Sequence, residues 1–204
     1  YYTPTYIVNY IVQNTVGKLL EGKTPKEAAA LKIVDPACGS GTFLLGAYQY
    51  LLDWHLGWYT ANEPEKWEKA KALVKVHNGW RLTTAKKKEI LLNNIHGVEI
   101  DAQAVEVTKL SLLLKVLENA AGQLSLGLER ALPDLGGNIQ CGNSLIGFDY
   151  FQGQLLPDKA ELARVNPFDW ARQFPGVFAR GGFDAVIGNP PYVRQETLGD
   201  LKVY

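Results

Sequence analysis

The segment from Leu31 to His55 limits the possible fold more than any other. A compact apolar run, Leu31-Lys32-Ile33-Val34, halts at Asp35-Pro36, turns through Ala37-Cys38-Gly39-Ser40-Gly41, and continues from Thr42 to His55 with apolar residues at helical spacing. Strand, glycine turn and helix in that order make the first part of a βαβ unit and predict a parallel strand to come. Ile95–Ile100 is the candidate, with Asp101 positioned to cap a long helix through Leu110, Leu113 and Leu117 toward Ala121. A short strand is expected near Ile139-Gln140, after the glycine- and proline-rich stretch 127–137, and another over Phe183–Ile187 after Gly181-Gly182. This alternation predicts an α/β class fold: a mainly parallel, Rossmann-like sheet flanked by helices, with ligands beyond the carboxyl ends of its strands. About four strands fall short of the usual five or six, so the sheet is expected to be incomplete.

With 204 residues, 47% of them hydrophobic, one core is expected and residues 1–204 read as one domain. Within it lie an N-terminal helical segment (1–30), a cofactor-binding half (31–150), a largely helical insertion (62–94) and a catalytic strand and loop (183–204). Tyr6, Ile7, Tyr10, Ile11 and Leu19 mark the first amphipathic helix, and Thr24-Pro25 opens a short second one. The chain begins with Tyr1 and contains no methionine, which suggests a piece of a longer polypeptide.

Twenty-one basic residues balance 21 acidic ones, so no overall positive field advertises a nucleic-acid partner, and any such partner must be argued from a site. Two cysteines make no disulfide framework, and three scattered histidines fit no zinc spacing, so no metal is expected. No apolar run is long enough to span a bilayer and no signal peptide is recognisable, which leads to the expectation of a cytoplasmic protein without a membrane partner.

Three constellations carry chemistry. In the glycine turn, Gly39 and Gly41 let the backbone approach a nucleoside closely, and Leu44 stands where dinucleotide binders want a third glycine. A ligand without phosphates fits that pattern better, and Asp35 at the strand end can hold an ammonium group. Glu99, at the end of the next strand, can accept hydrogen bonds from both ribose hydroxyls, although its distance from the turn far exceeds the usual ~20 residues. Taken alone, it is equally an acid near a helix start.

The third constellation is Asn189-Pro190-Pro191-Tyr192 after an apolar strand. An aromatic amine is a poor nucleophile because its lone pair is delocalised into the ring. The Asn189 side-chain oxygen and the Pro190 carbonyl can accept its two hydrogens and favour a tetrahedral nitrogen, while Tyr192 stacks on the base. No covalent intermediate is needed, so Cys38 and Cys141 have no nucleophilic task.

Together these residues resemble the amino-group DNA methyltransferases, in which a glycine-loop motif, a ribose-binding acid and an Asn-Pro-Pro-Tyr motif follow in this order. Tyr2-Thr3-Pro4 looks like the family's N-terminal motif, which packs beside the methionine portion of the cofactor. Gly142-Asn143-Ser144-Leu145 looks like the segment that contacts the cofactor adenine, where the family often has Asp at the position of Asn143. The motif order resembles the gamma arrangement. Val193-Arg194-Gln195-Glu196 looks like the large type IIG restriction-modification enzymes, in which one chain methylates and cleaves DNA.

The resemblance implies an S-adenosylmethionine-dependent methyltransferase fold acting on the N6 amino group of a flipped-out adenine. It implies a cofactor site of Thr3, Pro4, Asp35, Ala37, Cys38, Gly39, Gly41, Thr42, Glu99, Ile100 and Asn143, and catalysis by Asn189, Pro190, Pro191 and Tyr192. The implied partner is double-stranded DNA, bound through the full-length protein, because nothing here corresponds to a target-recognition domain. The stretches 62–94 and 151–180 have no counterpart in the resemblance. The final strand would lack a neighbour, so the fragment is expected to self-associate or to rely on absent residues. Two other readings stay open: a methyltransferase for a protein glutamine or an RNA guanine, and a non-catalytic subunit that binds cofactor or DNA.

Overall fold

A computed structural model describes residues 3–118, 132–153 and 158–190. Helix α1 (Thr5–Val12) runs through a wider π-helical turn at Gln13–Gly17 into α2 (Lys18–Leu20), and α3 (Pro25–Ala28) leads to strand β1 (Ile33–Asp35). Helix α4 (Thr42–Ala61) follows the glycine turn. Next come α5 (Pro64–Lys69), strands β2 (Leu73–Val76) and β3 (Gly79–Leu82), helix α6 (Thr84–Asn94), strand β4 (Ile95–Glu99) and helix α7 (Ala102–Leu117). Strand β5 (Ile139–Cys141) precedes three short helices, α8 (Lys159–Val165), α9 (Trp170–Gln173) and α10 (Pro175–Phe178), and β6 (Ala185–Val186) ends the series.

The main sheet has the order β5-β4-β1-β6 and all its pairings are parallel. Ile33 faces Ile95 on one side and Ala185 on the other, which fixes the register of the central strands. Because side chains alternate along a strand, Ile95 and Gly97 of β4 share one face while His96 and Val98 share the other. Gly97 is required there: a Cβ would lie 2.7 Å from Leu44 Cδ1 and 3.1 Å from Cys38 Sγ. The glycine lets α4 settle onto the sheet, and Leu44, Ala47 and Leu51 complete that core with Ile33, Ile95 and Ile139.

Val98 packs on the opposite face against Phe168, Phe174 and Val177, with Trp170 and Phe183 at the margin. His96 sits edge-on to Phe174 and Phe183, with ring centroids 5.6 and 5.4 Å away. Burial drives its imidazole pKa down to about 4, so it is a neutral core residue. The stretch 151–180, which had no functional assignment, thus supplies much of the covering of this face.

Several expectations need correction. The N-terminal helix does not bury Tyr6 and Tyr10, which are 73% and 68% exposed; its buried stripe is Val8, Val12, Val16 and Leu20. Those positions follow an i, i+4 spacing, and Val8 reaches its partner because α4 offers Gly46, where a Cβ would stand 2.5 Å from Val8 Cγ1. The insertion 62–94 is not largely helical throughout: β2 and β3 form an antiparallel hairpin between its two helices. Its turn is His77-Asn78 followed by Gly79 at φ 125°, so the Asn-Gly pair overrides the surrounding helix formers. The helix capped by Asp101 ends at Leu117, and Ala121 lies outside the described residues, as does the start of the 127–137 stretch. The capping expectations at the other helix starts hold: the Asp101 carboxylate accepts from Gln103 N, and Thr24 and Glu27 form a reciprocal capping box.

Candidate active site

The three strand ends β6, β1 and β4 bring the motifs to one edge of the sheet. After β1 the chain folds back on itself: Cys38 N donates to Val98 O at 3.0 Å and Gly41 N to Cys38 O at 2.8 Å. Gly39 and Gly41 have φ of 52° and 85°, values that glycine adopts without steric cost. A Cβ on Gly39 would meet nothing within 4 Å, so this side of the turn opens to space for a ligand. Under Gly41 there is no such space, since a Cβ would come within 2.8 Å of Thr108 Cγ2.

Glu99 reaches the turn from β4. Its Oε2 accepts Gly39 N at 2.8 Å, and its Oε1 accepts Ile100 N and Asp101 N at 2.9 and 3.2 Å. Three backbone donors therefore set the carboxylate plane; Oε1 takes two of them and Oε2 one, which leaves Oε2 as the oxygen with lone-pair capacity for a hydroxyl, one short of the two that the sequence suggested. Ile100 follows, 51% exposed, and provides an apolar surface beside the acid. Asn143 comes from the segment after β5, where Gly142 N donates to Glu99 O at 2.9 Å. Its side-chain Oδ1 is partly committed, accepting Leu145 N at 3.1 Å.

Asp35 lies behind the turn, 2% exposed. Its Oδ1 accepts Ala37 N at 3.0 Å, but burial and the nearby Glu99 charge outweigh that bond and raise its pKa to about 7. Cys38 is also buried, and the cost of ionising it there, added to by Asp35 and Glu99, pushes the thiol pKa up to about 12. A thiol held that firmly protonated is no nucleophile, which agrees with the lack of a task for it in the chemistry. Thr42 begins α4, directly after the turn.

Gly188 ties the chain after β6 to this group. Its φ is 155°, and a Cβ there would fall 2.6 Å from Asp35 Oδ1. Asn189 follows, exposed, and its Nδ2 donates to Thr3 Oγ1 at 3.3 Å, joining residues 186 positions apart. Pro4, next to Thr3, is the N-cap of α1 and its carbonyl accepts Ile7 N and Val8 N. Pro190 is exposed beside Asn189; Pro191 and Tyr192, the continuation Val193–Glu196, and Tyr2 of the N-terminal motif lie outside the described residues.

Sequence reasoning missed Thr108. It is fully buried on α7, its hydroxyl donates to Gly39 O at 2.8 Å, and its methyl group fills the space under Gly41. Its position seven residues after the Asp101 cap put it two turns along the helix that faces the glycine turn, a signal legible only once the turn was known to cross that helix. Asp184 was missed as well: Oδ2 accepts Lys32 N at 2.7 Å and meets Arg180 at 3.4 Å, anchoring the entry to β6.

The arrangement suits a nucleoside bearing a charged amino-acid tail. The turn 35–42 contains no lysine or arginine for a phosphate, whereas it offers an open glycine and a buried acid, and Glu99 brings an oriented carboxylate for a ribose hydroxyl. A hollow of about 700 Å³ between α1, α4 and α7 reaches this turn at Ser40 and Thr42. Another of about 780 Å³, walled by Tyr10, Gly17, Trp54 and Trp58, shares no residue with the site. Among the described residues no group of acidic, histidine and cysteine side chains could hold a metal ion, and no helix is long and apolar enough to cross a membrane.

Known proteins give the same grouping. The family of Eco57I restriction-modification methylases matches residues 93–204, and the N-6 DNA Methylase family matches residues 1–129. The type II restriction enzyme and methyltransferase RM.Eco57I of Escherichia coli is 34% identical over 200 residues, covering 98% of this chain and 18% of that protein. The adenine-specific methyltransferase PglX of Streptomyces coelicolor is 28% identical over 197 residues, covering 94% and 14%. The chain thus spans less than a fifth of either relative's length. In fold it is similar to the ATP-dependent Type ISP restriction-modification enzyme LlaBIII bound to DNA, with a TM-score of 0.53 at 17% identity over 96% of this chain and 10% of that one. A nuclease-deletion mutant of LlaGI with a DNA substrate mimic gives 0.51 at 18% identity, covering 94% and 13%.

Proposed function

Since this chain belongs to the N-6 DNA methylase family, among the methylases of restriction-modification systems, we propose that it forms the methyl-transferring core of a longer enzyme that modifies adenine N6 in duplex DNA. The observation that carries the reading is the contact of Gly188 with Asp35, which brings Asn189 to the edge of the sheet where the glycine turn opens. S-adenosylmethionine, when bound, would supply a methyl carbon made electrophilic by its sulfonium, with the carbon–sulfur bond broken on transfer and the neutral thioether as leaving group.

This chain's residues do the rest. Glu99 accepts a ribose hydroxyl at Oε2, Gly39 and Gly41 let the backbone lie against the nucleoside, and Ile100 packs on the adenine while Asn143 accepts from its edge. Asp35 balances the amino-acid ammonium, beside Ala37, Cys38 and Thr42 of the turn and Thr3-Pro4 of the N-terminal segment. Asn189 Oδ1 and the Pro190 carbonyl accept the two hydrogens of the target amino group, so its lone pair leaves the ring π system and points at the methyl carbon. The proton released on transfer departs along the same acceptors to solvent, to which Asn189 is exposed. For Pro191 and Tyr192 the resemblance implies the rest of the motif, with stacking of the aromatic ring on the base as the role of Tyr192.

The target is unpaired before it reaches these acceptors, because its amino group is hydrogen-bonded inside the duplex. With 21 charges of each sign, this chain contributes little net attraction for phosphates, and the remaining length of the enzyme is the proposed source of DNA affinity and sequence choice. The test is methyl transfer from labelled cofactor by the full-length protein to duplex DNA, RNA and a glutamine-bearing protein in parallel, with single-molecule sequencing of the DNA. N6-methyladenine at one sequence context is expected; label in RNA or protein alone would refute the assignment.

A further inference from the structure

We propose that Thr3 is a positioning residue for Asn189, holding the amide by its N–H edge so that its oxygen is the edge offered to the incoming amino group. This rests on the reading of Asn189 as acceptor. A side-chain amide has a donor end and an acceptor end, and a target amino group approaching it brings hydrogens. The amide must therefore present oxygen; the flipped orientation sets N–H against N–H and the lone pair stays in the ring. The terminal torsion of asparagine is broad and roughly two-fold, so the residue itself does not select between these states.

The backbone on both sides of the contact is already fixed, which leaves the amide orientation as the free variable. Gly188 lies where a Cβ would collide with Asp35, and Pro190 restricts the backbone of Asn189 from the other side. Thr3 precedes Pro4, whose carbonyl starts α1, and α1 is seated on α4 through Val8 and Gly46. Among the described residues Thr3 is the side chain hydrogen-bonded to Asn189, at 3.3 Å, with the amide nitrogen as donor and the hydroxyl as acceptor. A hydroxyl can donate as well as accept, and it selects the N–H end of the amide only while its own hydrogen is given elsewhere, as to a cofactor bound beside it.

The experiment uses the full-length protein in single-turnover methylation of duplex DNA at saturating cofactor. Thr3→Val is expected to slow the step about tenfold, the worth of one ordinary hydrogen bond, with the DNA dissociation constant unchanged. Thr3→Ser, which keeps the hydroxyl, is expected to restore the wild-type rate. A wild-type rate for Thr3→Val overturns the proposal, and so does a loss that vanishes as cofactor is raised, because Thr3 would then act through the cofactor alone. Asn189→Ala separates this inference from the reading beneath it: undiminished methylation there sinks the role of Asn189 itself. An inactive Asn189→Ala beside a fully active Thr3→Val sinks only the role of Thr3. If valine disturbs folding, Thr3→Ala read against Thr3→Ser carries the same outcomes.

Discussion

The glycine-turn side of the site and the Asn189 side are built on opposite plans. Around Gly39 nearly everything is bonded within the domain: Glu99 takes three backbone donors, Thr108 holds the Gly39 carbonyl, and Asp35 and Cys38 are buried beneath. Asn189 leaves a two-residue strand whose Val186 is 65% exposed, and its side chain meets one hydroxyl. The turn is thus organised in advance by bonds within the domain, whereas few contacts hold Asn189. On the proposed reading, cofactor affinity comes from the first side and the substrate is admitted at the second.

If that division is right, substitutions on the two sides fail differently. The largest effect is expected from Asn189→Ala in the full-length enzyme: methylation slower by on the order of 100-fold or more, with cofactor affinity retained in calorimetry. Loss of both together would erase the distinction between the sides. Gly41→Ala should do the reverse, weakening cofactor binding by roughly 30-fold through left-handed backbone cost and overpacking on Thr108. Its DNA affinity should hold in a mobility-shift titration.

Acidity offers a third cut. Asp35 has its pKa raised to about 7 by burial, so in the free protein it is protonated below that value. A cofactor ammonium favours the ionised form, and affinity should therefore fall as pH drops through 7, by about tenfold per unit for one proton. The linked stability runs the other way. A raised folded-state pKa contributes stability that is complete below the usual carboxylate range and is lost as pH rises through about 7. Asp35→Asn should flatten both profiles, and an unchanged slope in that variant would assign the proton elsewhere.

Smaller still is Thr108→Val, which removes one bond to the turn and should weaken cofactor binding about fivefold, with Thr108→Ser close to wild type. Cys141→Ala is the control, since the exposed thiol at the end of β5, with a 3.5 Å contact to Ile100 O, has no part in the proposed transfer. Any marked change in single-turnover rate there would expose a function for this cysteine.

The strand, glycine turn and helix were legible because glycine spacing and apolar periodicity agree there with the final packing, and Asp101 and Thr24 cap where their side chains imply. Two things were not. Lysine and glutamate set the character of 62–94, and the hairpin is specified by the Asn78-Gly79 pair, a signal two residues long inside a helix-forming composition. Phe168, Trp170, Phe174 and Phe183 follow no strand or helix period, since they converge from short helices and connecting chain onto Val98. In the site, Asp35 and Glu99 could be picked out as strand-end acids, but the Thr3–Asn189 contact depends on where α1 docks, which periodicity does not encode.

The placement of β6 has a consequence for biosynthesis. Lys32 O and Val34 O of the β1 region receive their partners from Asp184 N and Ile187 N, at 2.8 and 2.9 Å, from chain made some 150 residues later. During translation β1 therefore waits with one edge unsatisfied after β4 has already joined the other. A ribosome-bound intermediate with an open parallel edge is slow to close and able to pair with the wrong strand, so arrest of synthesis before Asp184 should yield a chaperone-dependent, aggregation-prone chain.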